Sequence, residues 1–256
     1  MPPAISVTNL VKRYKKADTN AVDGVSFTVS PGEFFSLLGP NGAGKTTTLS
    51  ILTTTLSPTS GTAQVAGFDV VKDSHRVRQK VGIIFQNPSL DQKLTAEENI
   101  RFHAALYNLY PYRPTLSMMP AAYRRQVSEL TQVLGLSPSD LTQPVAALSG
   151  GMKRKLEIVR SLMHRPQILF LDEPTSGLDP KSRRDLWAYL AQIRKKDHMT
   201  ILLTTHYLEE AESSDNICII NRGKVVALGP PAKLKKDFTG RHTSLEDVYL
   251  KIIADT

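Results

Sequence analysis

Residues 39–46 read Gly-Pro-Asn-Gly-Ala-Gly-Lys-Thr, and this stretch restricts the fold of the chain more tightly than any other. The pattern is G-x-x-x-x-G-K-[ST], the phosphate-cradling P-loop, which needs a strand before it and a helix after it. Both flanks are legible. Phe34-Phe35-Ser36-Leu37-Leu38 has the apolar run and length of a buried strand, and residues 45–56 place Leu49, Leu52 and Leu56 at helical spacing. Gly39, Gly42 and Gly44 let the backbone fold tightly, so that successive N–H groups converge on phosphate oxygens. The helix adds its free N–H groups and the positive end of its dipole. Lys45 is placed to reach β- and γ-phosphates, and the Thr46 hydroxyl to ligate Mg²⁺. Pro40, Asn41, Ala43 and Thr47 complete the contact segment. A nucleoside triphosphate with Mg²⁺ is the expected ligand.

A second element fits the first. Ile168-Leu169-Phe170-Leu171-Asp172-Glu173 is an apolar strand ending in two carboxylates. In a P-loop protein this strand is expected beside the P-loop strand, with its first carboxylate, Asp172, near the magnesium. Glu173 lies one residue past the strand end and points elsewhere, where it can polarise a water for in-line attack on the γ-phosphate. Tyr14 precedes a polar stretch, residues 15–20. It reads as core, as surface, or as an aromatic that stacks on a base.

Alternating apolar and polar residues predict strands over residues 5–10 and 22–29, the second turning at Ser30-Pro31-Gly32. Further strand signals fall at residues 62–65 and 81–85, with a basic helical segment at 72–80 between them. From Leu94 to Leu136 strand signals vanish. Thr95 and Glu98 form a capping-box pattern opening a helix with Ile100, Ala104 and Leu106. Prolines at 111, 114 and 120 predict a loop, and helical spacing resumes at Ala121 and stops at Gly135. Beyond Gly150, helices and apolar strands alternate (strands at 168–171 and 200–204), which argues for a mostly parallel sheet covered on both faces. A late hairpin is expected over residues 217–228, and Pro230-Pro231 sets off a short helical tail.

Leu148-Ser149-Gly150-Gly151-Met152 opens a helix with apolar residues at 152, 156, 159 and 163. A serine followed by two glycines at a helix start offers a second anion-binding terminus, separate from the P-loop. One nucleotide cannot easily use both, which suggests that this terminus closes on the triphosphate of a second copy; taken alone, the segment reads as a simple Ser-Gly helix cap.

Tyr14, residues 39–46, Gln86, 148–152, 169–173, Ser176-Gly177-Leu178-Asp179 and His206, in that order, resemble the ATP-binding-cassette family over about residues 4–230. The resemblance implies an α/β fold: a P-loop NTPase core with a mostly parallel sheet, an N-terminal antiparallel β subdomain and an inserted α-helical subdomain at about 87–160. The ATPase domain would cover 1–230 and the helical tail 231–256. By the same resemblance Tyr14 stacks on adenine. Gln86 senses Mg²⁺ and the attacking water while contacting a membrane partner. Ser149, Gly150 and Gly151 cap ATP on the opposing subunit. Asp179 lies in the loop coupling the two sites, and His206 contacts the γ-phosphate. Asn87-Pro88-Ser89-Leu90-Asp91, residues 149–156, residues 205–212 and the tail 244–250 look like the drug- and polysaccharide-export branch, the daunorubicin-resistance group. Two departures stand out. Met152 occupies a position where the family commonly has Gln, so tuned rather than abolished activity is expected, and residues 110–120 look longer than the corresponding turn, read as a solvated loop rather than a partner contact.

The implied protein is the ATPase subunit of an exporter, at the cytoplasmic face of the membrane and peripheral, with ATP and Mg²⁺ as ligands. A transmembrane permease subunit and a second copy or related cassette are the expected partners. No run approaches the roughly 18 apolar residues of a membrane span, and the N-terminus lacks a signal-peptide pattern, so another chain is expected to provide the anchor. The net charge of +8 is spread over short clusters such as Lys12-Arg13, Arg124-Arg125 and Lys235-Lys236. Such clusters read as solvated faces, with proximity to phospholipid second, and no nucleic acid partner is expected. The single cysteine, Cys218, sits among apolar neighbours and reads as a core thiol, consistent with a reducing compartment. A cassette serving a soluble machine is the alternative; such chains usually carry two cassettes or a long coiled-coil insert, neither legible here. A GTPase or small-molecule kinase would leave residues 148–152 without a role.

Overall fold

The computed structural model describes residues 2–86, 89–239 and 244–254; Asn87 and Pro88 and parts of the tail lie outside the described residues. In chain order the elements are β1 (Ile5–Lys12), β2 (Val22–Val29), β3 (Phe34–Leu38), α1 (Lys45–Leu52), β4 (Ser60–Val65), β5 (Phe68–Asp69), α2 (Ser74–Lys80) and β6 (Val81–Ile84). There follow α3 (Ala96–Leu106), α4 (Ala121–Val133), α5 (Pro138–Leu141), α6 (Gly150–Leu162), β7 (Ile168–Asp172) and α7 (Pro180–Asp197). The chain ends with β8 (Thr200–Thr205), α8 (Leu208–Glu212), β9 (Asn216–Asn221), β10 (Lys224–Gly229), α9 (Pro231–Thr239) and α10 (Leu245–Ala254). They divide between two compact units: residues Met1–Val81, Gln167–Glu173 and His198–Thr256 in the first, Gly82–Pro166 and Pro174–Asp197 in the second.

The first unit holds two sheets. The antiparallel one has the order β2-β1-β4-β5 and joins Ile5 to Val29 and Val65, and Val7 to Phe27 and Ala63. Its alternation buries Ile5, Val7 and Leu10 while Thr8 and Asn9 face solvent. The ring of Phe27 stacks on Phe35 of β3 with centroids 5.1 Å apart, which fastens this sheet to the strand that feeds the P-loop.

In the second sheet the strands of this unit run in the order β10-β9-β3-β8-β7. Pairings β9–β3, β3–β8 and β8–β7 are parallel, and β9–β10 is the expected antiparallel hairpin. Every residue of β3, β7 and β8 is buried, as continuous apolar runs in a sheet covered on both faces require. One expectation is corrected here. The strand of Asp172 does not lie beside the P-loop strand, because β8 stands between them; Leu37 is level with Thr204, and Thr204 with Asp172. Behind the sheet, α9 and α10 add Leu234, Leu245, Val248 and Ile252 to a cluster with Leu38, Ile217 and Ile219. Cys218 is fully buried, which pushes its thiol up to about 12.

The helix after the P-loop is shorter than residues 45–56. It stops at Leu52: Leu49 O still accepts the helical bond from Thr53 N at 2.9 Å, with the Thr53 hydroxyl beside it at 2.9 Å, and Ser50 O accepts from the N–H and the hydroxyl of Thr55 at 3.0 and 2.9 Å. Thr54 then takes a left-handed φ of 63°, and Leu56 lies beyond the helix.

The second unit is helical apart from its first residues. The Thr95–Glu98 capping box forms as expected, each residue's side chain bonding the other's backbone N–H. Helix α6 packs against α3 and α4. Between the helices Tyr123 is fully buried and donates to Glu97 Oε1 at 3.1 Å, while Glu97 also pairs with buried Arg101 at 3.0 Å. Residues 110–120 contain a short 3₁₀ turn at Leu116–Met118 and are otherwise irregular. They are pinned from within the unit, since Arg101 Nη1 donates to the carbonyls of Arg113 and Pro114.

Candidate functional site

The P-loop leaves the C-terminal end of β3 and is shaped by what surrounds it. At Gly39 an added Cβ would stand 2.1 Å from the carbonyl oxygen of Ile220, and at Gly44, where φ is 104°, 2.4 Å from that of Ala21. Only glycine lets the backbone close up there. The carbonyl of Ala43 accepts from Gly223 N at 2.9 Å, so the β9–β10 turn backs the loop. Lys45 is buried, and its Nζ donates to the carbonyls of Gly39 at 2.7 Å and Pro40 at 3.0 Å. Burial lowers its pKa, opposed by the charges of Glu173 and Asp172. Asn41 and Gly42 are exposed at the tip of the loop.

Asp172 ends the buried strand β7. Its Oδ1 accepts from Thr46 Oγ1 at 3.4 Å and from the hydroxyl of Thr204 on β8. Burial raises its pKa, and the Thr204 hydroxyl opposes that rise. Thr204 belongs to the site but drew no notice in the sequence; its sole signal is a polar residue in the apolar strand next to the acidic one. A carboxylate and a hydroxyl are hard oxygen donors that suit Mg²⁺, which is held by few protein ligands together with phosphate oxygens and water. This pair of hard oxygen donors fits a cation that takes its remaining ligands from phosphate and water.

Glu173 is bent out of the strand by a left-handed φ of 45°. Its N–H still bonds Thr204 O at 3.0 Å, but its side chain turns to His206, with Oε1 and Nδ1 3.1 Å apart. His206 follows β8 directly, is partly exposed, and packs its ring against Tyr207 at 4.1 Å between centroids. Tyr14 is 46% exposed, which sets it on the surface rather than in the core. Its hydroxyl lies 3.3 Å from Thr47 Oγ1, and Lys12 Nζ stands 5.7 Å from its ring centre. Tyr14, residues 39–47, Asp172, Glu173 and His206 all belong to the first unit.

Gln86, Ser149, Gly150, Gly151 and Asp179 belong to the second unit. Ser149 is the N-cap of α6, its Oγ accepting from Met152 N at 3.2 Å. Substituting Met152 for glutamine leaves this bond intact, since it uses the backbone. Gly150 has open space where a side chain would be, whereas a Cβ on Gly151 would come 3.1 Å from Ser182 Oγ. Asp179 closes the start of α7: Oδ1 accepts from Lys181 N and Ser182 N at 3.0 Å each, and Oδ2 from Ser182 Oγ at 2.5 Å. Within this unit Gly151 and Asp179 are thus brought against the same serine. Gln86 is exposed, and the chain beside it is held by α6.

Comparison with known proteins shows what the chain is similar to. The family model described as ABC transporter matches residues 22–176, more than half of the chain. The chain is 38% identical over 254 residues to the probable multidrug ABC transporter ATP-binding protein YbhF of Escherichia coli (98% of this chain, 42% of that protein). It is 40% identical over 233 residues to the doxorubicin resistance ATP-binding protein DrrA of Mycobacterium tuberculosis (91% of this chain, 67% of that one). It spans about two fifths of the length of the first of these. Among solved structures, the dimeric post-hydrolysis state of the ATP-binding cassette MJ0796 bound to ADP and Pi superposes with a TM-score of 0.77 at 28% identity, covering 88% of this chain and 98% of that one.

Proposed function

The chain belongs to the ABC transporter family, and we propose that it is the ATP-binding and ATP-hydrolysing subunit of a membrane exporter, working as a dimer on a separate transmembrane permease. The observation that carries the reading is the 3.1 Å pairing of Glu173 with His206 in the unit that also holds Lys45 and Asp172. Backbone N–H groups of residues 39–46 bind the phosphates, and Lys45 leaves the carbonyls of Gly39 and Pro40 for the β- and γ-phosphates. Tyr14 stacks on the adenine. Thr46 and Asp172 would hold Mg²⁺, which would supply charge neutralisation at the phosphates when bound. Glu173 takes the proton from the attacking water, and His206 orients that carboxylate and contacts the γ-phosphate.

The hydroxyl of Ser149 and the first N–H groups of α6 close on the ATP of the opposing copy, and Asp179 links that cap to the adjoining loop. A dimeric cassette among the similar structures supports this arrangement. The permease docks on the helical unit, which bears Gln86 and whose helix α3 presents Leu106 at 81% exposure and Phe102 stacked on Tyr112. No helix of the described residues is long and apolar enough to cross a membrane, in keeping with a peripheral place on the cytoplasmic face. The names of the relatives favour export as the transport class, with cargo contacts left to the permease.

Glu173→Gln tests the reading. ATP affinity stays near the wild-type value, turnover falls by about 10²–10⁴-fold, and an ATP-bound dimer accumulates on size exclusion. Unchanged turnover would overturn the role of Glu173, and a chain that stays monomeric with ATP would overturn the dimer.

A further inference from the structure

Helix α6 does more in its own unit than present Ser149 at its start. Arg154 is 5% exposed and Glu157 1% exposed, and they pair at 3.0 Å in the interior. Arg154 Nε donates to the carbonyl of Pro174 at 2.8 Å, and its Nη1 donates to the carbonyl of Phe85, the residue before Gln86. Glu157 Oε1 accepts from Ser89 N at 2.8 Å. One turn on, Arg160 Nη1 donates to Ser89 O at 2.7 Å, and Ser161 Oγ donates to Ile83 O at 2.9 Å. A single helix therefore holds the backbone at Ile83, Phe85 and Ser89, on both sides of Gln86. Through Pro174 it also holds the residue that follows Glu173 in sequence.

Stability alone does not call for such a cluster. Burying an ion pair costs about as much desolvation as its attraction returns, and a well-packed apolar pair is often as stable. What the charges add is direction. A planar guanidinium meets two carbonyls and a carboxylate at once, a geometry that fixes where each stands and that an ammonium cannot reproduce. Arg154 also lies only five residues from Ser149, about 7.5 Å along the helix.

We propose that Arg154, with Glu157, is a positioning residue that makes α6 a rigid link between the Ser149-Gly150-Gly151 end and the backbone bearing Gln86, so that a partner's nucleotide seated on that end sets where Gln86 stands. The inference rests on the reading of the chain as a dimerising ATPase. A displacement of about one ångström in a positioned group costs about 10²-fold in rate. Arg154 touches no substrate in this scheme; it acts through Gln86.

The test uses the full chain with two variants. Arg154→Lys keeps the charge but not the fork. The double variant Arg154→Met with Glu157→Met removes both charges together, so that neither is left buried and unpaired. For both, ATP affinity measured by titration stays within about twofold of wild type, because the P-loop is untouched, while kcat falls at least tenfold. Combining Arg154→Lys with Ser149→Ala costs less than the product of the two separate losses, as residues on one link do. The wild-type chain is assayed alongside: if it neither hydrolyses ATP nor dimerises, the parent reading fails. If wild type turns over and the folded double variant matches its kcat, the positioning role is overturned. It is likewise overturned if ATP affinity and kcat fall in equal proportion, which marks a merely structural loss.

Discussion

Glu173 Oε1 lies 3.1 Å from Nδ1 of His206, and Glu173 holds that contact from a left-handed backbone with φ 45°. A non-glycine residue in that region carries about 1–3 kcal/mol of strain and persists only where its surroundings enforce it. Here the bond from Glu173 N to Thr204 O keeps the residue tied to the sheet while its side chain swings to the histidine. Losing His206 should therefore release the carboxylate without touching the phosphate loop. In His206→Ala, ATP affinity stays within a few-fold and kcat drops by about 10²–10³-fold, consistent with the weight of a positioned acid–base group. Steady-state kinetics beside equilibrium ATP titration separates the two. Equal losses in both would show that His206 matters for binding and not for the step.

A composite site makes a sharper claim. Lys45→Ala kills the P-loop of its own copy, and Ser149→Arg kills the cap that its copy offers to the other. Each homodimer is then inactive. A mixed dimer places both defects in one of its two sites and leaves the other, the intact P-loop facing the intact Ser149, whole. Mixing the two inactive proteins should restore one occluded ATP per dimer, read by filter binding after a chase, together with measurable turnover. Sites complete within single chains would give neither.

The glycines of the loop should separate by their surroundings. Gly39 has Ile220 O 2.1 Å from where a Cβ would go, whereas Gly42 has open space and a φ of 79°. Gly39→Ala must move backbone, at a cost of about 1–3 kcal/mol as for an overpacked core, and should weaken ATP binding more than tenfold. Gly42→Ala meets backbone strain alone, about 1 kcal/mol, with a smaller loss of affinity. Denaturant unfolding and ATP titration of both variants check the order; a reversal would mean that the model of close approach at Ile220 is wrong.

How much of this could be read from the chain depends on how local the cause is. The strand–loop–helix around Lys45 and the Thr95–Glu98 box are written in adjacent residues, and the structure carries both. The continuous apolar runs of β3, β7 and β8 give away a parallel sheet. Strand order is different: β8 separates β3 from β7 by pairing with β3, more than a hundred residues before it, and no periodicity encodes that. The early stop of α1 comes with a left-handed Thr54, flanked by threonine hydroxyls that bond the carbonyls behind them, in a pattern that leucine spacing alone reads as helix. Thr204, Arg154 and Glu157 were invisible for a related cause. A polar residue in an apolar element signals a buried partner only once that partner is known, and otherwise passes for a solvated face.

His103 supplies a pH prediction in the helical unit. Its ring sits 4.5 Å from Tyr107 and 5.9 Å from His164 between centroids, and its Nε2 is buried with no hydrogen-bond partner among the described residues. Burial foremost, then the charges of Arg160 and His164, pushes its pKa down to about 3. The unfolded chain takes up a proton at this residue below about pH 6.5, where the folded chain does not. More protons are then bound unfolded than folded, so stability falls as pH drops from about 6.5 toward 3, with a limiting slope of about 1.4 kcal/mol per pH unit. His103→Phe keeps an aromatic ring of similar size and removes the titration. Urea unfolding at pH 7.5 and pH 5.5 should show wild type losing more stability than the variant over that interval, with other groups cancelling in the difference. A difference of zero would mean that His103 is protonated in the folded protein at pH 5.5. A gain for wild type would mean that an unrecognised carboxylate holds it charged.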